Sequence, residues 1–132
     1  MSMGIALHHV SLVVADTAAA LAFYTRVLGL SVDDTRPQMA FDGAWLKLPG
    51  GQQLHLLQVP NPDPVAGRPA HGGRDRHVAF AVNDLEDYRQ RLQALGIDYS
   101  MSKSGRRALF CRDPDGNACE LVECPLPDLA RD

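Results

Sequence analysis

No stretch of the 132 residues approaches the ~20 consecutive apolar side chains that a bilayer-spanning helix needs, so a membrane span is not expected. Cationic excess is missing too. Thirteen Lys and Arg stand against sixteen Asp and Glu, a formal net charge of −3, which argues against a nucleic-acid or anionic-membrane surface. Cysteine is scarce: Cys111, Cys119 and Cys124 are odd in number and lack a CxxC spacing. Three such thiols suggest a reducing cytoplasm rather than a disulfide scaffold. The opening MSMGIALHHV has neither a basic n-region nor a long apolar stretch, so a secretory leader is not expected. What remains is a water-soluble, globular balance of 45% apolar and 22% charged residues. The length suits one domain over residues 1–132, long enough to bury about two thirds of its unfolded surface.

The chain repeats itself once. His9-Val10-Ser11-Leu12-Val13-Val14-Ala15-Asp16 aligns with His77-Val78-Ala79-Phe80-Ala81-Val82-Asn83-Asp84 at an offset of 68. Gly29-Leu30 aligns with Gly96-Ile97, and Gln53–Pro60 with Ala118–Pro125 at an offset of 65. A two-copy repeat decides the fold before any motif does. Each copy opens on a short β-branched strand and an Asp placed to cap a helix, Asp16 over 17–28 and Asp84 over 85–95. Leu21, Tyr24 and Leu28 share one helix face; Leu85, Tyr88, Leu92 and Leu95 form the expected buried stripe of the other. Three strands are expected after each helix, at about 31–41, 44–48 and 53–59, then 97–102, 106–112 and 118–123, separated by Gly- and Pro-bearing turns. The prediction is an α+β fold of two βαβββ modules, about 5–60 and 76–124. Between them runs a linker over 60–76 carrying Pro60, Pro62, Pro64 and Pro69, a length of irregular chain that is often functional.

Paired modules of this kind, each opened by a His, with Asp113-Pro114-Asp115-Gly116 and Glu120 near the end, resemble the vicinal oxygen chelate superfamily. That superfamily includes glyoxalase I, extradiol dioxygenases and bleomycin-resistance proteins. The resemblance covers about residues 5–124 and is strongest at His9–Asp16, Phe23–Gly29, His77–Val82 and Asp113–Glu120. It implies a curved mixed-sheet cup, a homodimer, a small-molecule substrate and a divalent transition metal (Zn, Ni, Co, Fe or Mn) held by His9, His55, His77 and Glu120. Each of these four is also a titratable side chain in an otherwise apolar strand, and a buried charge is normally paired or metal-bound. Three imidazoles and one carboxylate suit such an ion, while a hard oxygen-only site is disfavoured. His8, on the opposite strand face, reads as structural. His71 reads as solvated.

With two oxygens of a substrate on the ion, the expected chemistry is that of a lyase or isomerase passing through a metal-held enolate, with Glu120, or else a metal-bound hydroxide, as the catalytic base. Glyoxalase I usually carries a carboxylate at the position of His55, and its glutathione-holding Arg and Asn fall at Val13 and Val59 here. A glutathione isomerase is therefore disfavoured. Arg68, Arg74, Arg76, Arg106 and Arg107 give the linker and its surroundings a capacity for anions; Arg74 and Arg76 adjoin His77 and are the candidates to hold an anionic group of the substrate, with pairing to surface carboxylates the plainer reading. Phe110 matches the aromatic that lines the cavity in glyoxalase I, and Trp45 and Phe41 are further candidates for its wall. Two other readings stand beside the lyase or isomerase: an extradiol-type dioxygenase, and a non-catalytic drug- or metabolite-binding protein of the bleomycin-resistance type.

Overall fold

The computed structural model describes residues 4–126. Its first module runs β1 (His9–Val14), α1 (Thr17–Arg26), β2 (Ser31–Asp33), β3 (Gly43–Lys47) and β4 (Gln53–Gln58). The second runs β5 (His77–Val82), α2 (Leu85–Ala94), β6 (Tyr99–Met101), β7 (Ala108–Arg112) and β8 (Ala118–Glu123). Each module makes a four-stranded mixed sheet, ordered β1-β4-β3-β2 and β5-β8-β7-β6, in which only the first and last strands run parallel. A helical crossover is what such a parallel pair requires. The architecture is the expected α+β pair of βαβββ units, and the two sheets do not close into a barrel.

The helix boundaries follow from their caps. The Asp16 carboxylate accepts the backbone N–H groups of Ala18 and Ala19, and Asp84 accepts that of Glu86, filling valences that a helix start leaves open. Gly29 and Gly96 take φ of 70° and 68°, a left-handed conformation costly for a side chain, and turn each chain back toward its sheet.

Several local expectations need correction. The strand expected over 31–41 ends at Asp33, because the Asp33 carboxylate accepts both the N–H and the hydroxyl of Thr35 and folds the chain into a turn. The strand expected over 97–102 is confined to Tyr99–Met101, and α1 stops at Arg26, two residues early. Leu95 leaves the buried stripe: it caps the C-terminus of α2 and is 48% exposed, whereas Leu85 and Leu92 are buried.

One hydrophobic cluster spans both modules. It joins Val14, Tyr24, Val27, Leu46, Leu54 and Leu56 from the first to Val82, Leu92, Leu109, Cys119 and Leu121 from the second. Polar links reinforce it. The Tyr24 hydroxyl donates to Asp113 at 2.8 Å, Asn117 donates to the Val13 carbonyl, and the Ala15 N–H donates to Asp115. The Asp113–Asn117 turn of the second module is thus seated on β1 and α1 of the first. Burial pushes the Asp113 carboxyl above its ordinary range and the Cys111 thiol up to about 12. No described helix is long and apolar enough to cross a membrane.

Alternation does the rest. Val10, Leu12 and Val14 turn into the core, which leaves His9, Ser11 and Val13 on the other face of β1; His77, Ala79 and Ala81 lie likewise on β5. These outward faces carry the two histidines expected as ligands, His9 and His77.

Candidate metal centre

The repeat is carried into register. Ser11 stands opposite His55 in the β1–β4 pair, and Ala79 opposite Glu120 in the β5–β8 pair. Across the neighbouring antiparallel pairs, His55 faces Trp45 and Glu120 faces Phe110. Each module therefore presents a His from its first strand, a potential ligand from its last, and an aromatic ring beside the latter.

In the first module these groups form a column of rings. His9 stacks on His55 with centroids 3.9 Å apart, and His55 stacks on Trp45 at 4.3 Å with an interplanar angle of 4°. His55 Nε2 lies 2.9 Å from Gln53 Oε1; the amide oxygen can only accept, so the imidazole donates there and keeps its lone pair at Nδ1. Burial, followed by the neighbouring His9, His8 and Arg36, holds the His55 imidazole below its usual range, which favours the neutral form that a metal needs. His8 is exposed, and its Nδ1 is 2.8 Å from that of His9, so it braces a candidate ligand from the adjoining position.

In the second module the pair is tighter. His77 Nδ1 donates to the Asp75 carbonyl at 2.9 Å, which directs Nε2 at Glu120 Oε1, 3.2 Å away, and in the neutral ring leaves its lone pair facing that oxygen. Two facing acceptors repel unless a proton or a metal ion lies between them. A ligating His whose other nitrogen is tied to a backbone carbonyl is the usual second tier of a metal site. Glu120 is 3% exposed, and its Oε2 accepts Arg106 at 2.7 Å. Asp75 is itself clamped by Arg68 and Arg112, whose guanidinium groups hold its carboxyl well below the ordinary range. Arg68 and Arg112 also donate to the carbonyls of Pro64 and Pro69, so the linker is pinned to the second sheet rather than loose.

The four expected ligands fall into two pairs. Among the described residues no three His, Cys, Asp or Glu side chains gather where they could hold one ion. His77 and Glu120 fit half of a divalent-metal site. His9 and His55 supply suitable donors for the other half, but their parallel rings do not converge on a point within one chain.

The remaining candidates divide. A cavity of about 640 Å3 opens over the second sheet, lined by His77, Glu120, Phe110, Arg74, Lys103 and Arg106 among others. The Phe110 ring is 5.4 Å from that of His77. Arg76 pairs with Asp63 at 3.0 Å and lines a second cavity of about 330 Å3 between β1 and β5, which shares His77 with the first. Phe41 is partly buried, and Arg36 lies over its ring at 5.8 Å. His71 is only partly exposed: Nδ1 accepts the Gly73 N–H, while Nε2 is buried without a partner in a ring set 4.8 Å from Phe110. The sequence reading counted Arg106 among the arginines around the linker and read His71 as solvated, but foresaw neither the contact of Arg106 with Glu120 nor that of His71 with Phe110. Position in the repeat gave no signal for either, because both lie in connecting segments.

A model of the Glyoxalase/Bleomycin resistance protein/Dioxygenase superfamily matches residues 6–121. Glyoxylase I 4 of Arabidopsis thaliana is 32% identical over 124 residues, covering 89% of this chain and 70% of that protein. The structure of lactoylglutathione lyase from Agrobacterium tumefaciens is similar at a TM-score of 0.64 and 26% identity, over 92% of this chain and 96% of that one. The fosfomycin resistance protein FosX of Listeria monocytogenes shares the fold at a TM-score of 0.68 and 18% identity, over 96% of each chain. Twin modules in matched register and a family match across nearly the whole chain lead to one conclusion: the protein belongs to the Glyoxalase/Bleomycin resistance protein/Dioxygenase superfamily.

Proposed function

We propose that this protein is a metal-dependent, glyoxalase-like enzyme, a lyase or isomerase acting on a small substrate that chelates through two neighbouring oxygens. The observation that carries the reading is the His77–Glu120 pair, with the imidazole lone pair and a buried carboxylate oxygen 3.2 Å apart and the tautomer held by the Asp75 carbonyl. His77 and Glu120, together with His9 and His55, would hold the ion, and this donor set suits Zn, Ni, Co, Fe or Mn. When bound, such an ion supplies a Lewis acid that polarises both substrate oxygens and lowers the energy of an enolate.

The chain's own groups do the remaining work. Glu120 would take the proton from the carbon beside the substrate carbonyl and return it to the carbonyl carbon, the adjacent hydroxyl proton passing to the former carbonyl oxygen so that the substrate is isomerised without net change. Phe110 and Trp45 wall the site and exclude water from the exchanging proton, and Arg74 borders the substrate cavity. Arg76, committed to Asp63, is not assigned a part.

The two ligand pairs meet across a homodimer, the first sheet of one subunit set over the second sheet of its partner. Support comes from the outward faces of β1 and β5, where His9, Ser11, His77, Ala79 and Ala81 are all exposed, and from Ile5 and Leu7, 83% and 60% exposed beside β1. Light scattering and metal analysis test the reading together. A dimer carrying about one transition-metal equivalent per chain after reconstitution supports it, and less than about half an equivalent overturns it. Turnover is then sought among small α-dicarbonyls, 2-oxo acids and thiol adducts.

A further inference from the structure

The cavity over the second sheet is lined by three cations, Arg74, Lys103 and Arg106, and by one carboxylate, Glu120. Most other arginines nearby have ion-pair partners elsewhere: Arg68 and Arg112 share Asp75, and Arg76 and Arg107 lie against Asp63 and Glu123 in more exposed pairs. Arg74 and Lys103 have no ion pair among the described residues. Arg106 pairs with Glu120 alone, through one nitrogen at 2.7 Å, while its side chain remains 59% exposed on the turn between β6 and β7. Glu120 is buried, so the contact holds as long as that carboxylate keeps its full charge. Once Glu120 shares its charge with a metal ion, its attraction for the guanidinium falls. The released fork then faces a cavity whose only acid is already engaged.

We infer that the substrate carries an oxyacid group, a carboxylate or an equivalent anion, anchored by Arg106 with Lys103 and Arg74 while its neighbouring oxygens reach the ion. This rests on the metal-dependent reading above and adds the class of substrate to it. Arg106 is a specificity residue in this scheme and takes no part in proton transfer. A guanidinium suits the task because its planar donors match two oxygens of an acid at once.

Two chelators separate the ideas. Acetohydroxamic acid offers two neighbouring oxygens and no further charge; succinic acid monohydroxamate offers the same oxygens and a carboxylate tail. Both are titrated calorimetrically into the nickel-loaded protein, its Arg106→Gln variant and its Arg106→Lys variant, with metal content measured in each. The expected result is tighter binding of the acidic chelator by wild type, by about tenfold. That preference should collapse in Arg106→Gln and return in part in Arg106→Lys, with acetohydroxamate binding unchanged throughout. Equal affinity of wild type for the two chelators overturns the inference while leaving the metal reading intact. So does an Arg106→Gln variant that weakens both alike, because the arginine would then be no more than a counter-ion to Glu120. Failure of wild type to take up nickel overturns the metal reading and the inference together.

Discussion

Nε2 of His77 and Oε1 of Glu120 stand 3.2 Å apart on adjacent parallel strands, while His9 and His55, at repeat-related positions in the other sheet, lie ring upon ring at 3.9 Å. Each module has thus built its own pair, and the question for function is how pairs are matched. Complementation answers it. A double variant His9→Ala/His55→Ala and a second, His77→Ala/Glu120→Gln, should each form metal-free dimers. Unfolded together and refolded, they should yield mixed dimers with one intact site of two, read as recovered metal content. No recovery would place all four ligands of a site within a single chain.

The Asp75 carboxyl is held well below its ordinary range, chiefly by hydrogen bonds from Arg68 and Arg112, and Asp33 is lowered to about 2 by Thr35 and Gln53. A depressed carboxyl contributes stability above its unfolded value of about 4, and that contribution drains away as pH falls through the folded value. Thermal melting should therefore decline below about pH 4. Asp75→Asn should be less stable than wild type at pH 7 and show a shallower slope between pH 4 and pH 2. A parallel slope in the variant would remove Asp75 from the acid response.

Tyr24 is fully buried, and its hydroxyl donates to Asp113 on the opposite module. Tyr24→Phe keeps the ring packing and deletes the donor, leaving a buried acid short of a partner. The expected loss is about 1–3 kcal/mol in denaturant unfolding. A neutral result would mean that Asn117 and the turn's own N–H groups satisfy Asp113 unaided.

Gly43 opens β3 beside the main chain of β4, and a Cβ built there runs into the Leu56 carbonyl oxygen, with Arg36 Nη2 at 3.3 Å. Backbone cannot yield as a side chain can. Gly43→Ala should cost about 1–3 kcal/mol and disturb Trp45 two residues on, visible as a change in the fluorescence of the single tryptophan. An unchanged melting curve would show that β3 shifts freely.

Much of this was legible in the chain. The duplicated His-apolar-Asp signal fixed both modules because capping and alternation act over a few residues, and Asp16 and Asp84 cap where expected. Strand extent was less legible: β2 shrank to three residues because the Asp33 turn overrides the pattern downstream. At the candidate site, repeat positions named His9, His55, His77 and Glu120 but not their pairing, which depends on how two sheets are placed in space. Phe110 came from the resemblance to glyoxalase I, and its ring lies 5.4 Å from that of His77. Arg106 was named only as one of several arginines near the linker and His71 was read as solvated, while Arg76 takes a surface carboxylate, Asp63, the plainer of its two readings. Connecting segments obey no periodicity, so their side chains become predictable only once their anchors are known.

The seating of the Asp113–Asn117 turn against α1 has a consequence for how the halves coexist. A protease that nicked the segment between Pro60 and Arg76 would cut a tether whose ends remain fastened on both sides, by Tyr24 to Asp113 and by Asn117 to Val13. The two fragments should co-elute under native conditions and separate only in denaturant. Fused by descent, the halves have become mutual templates, and neither retains a finished interior when the other is taken away.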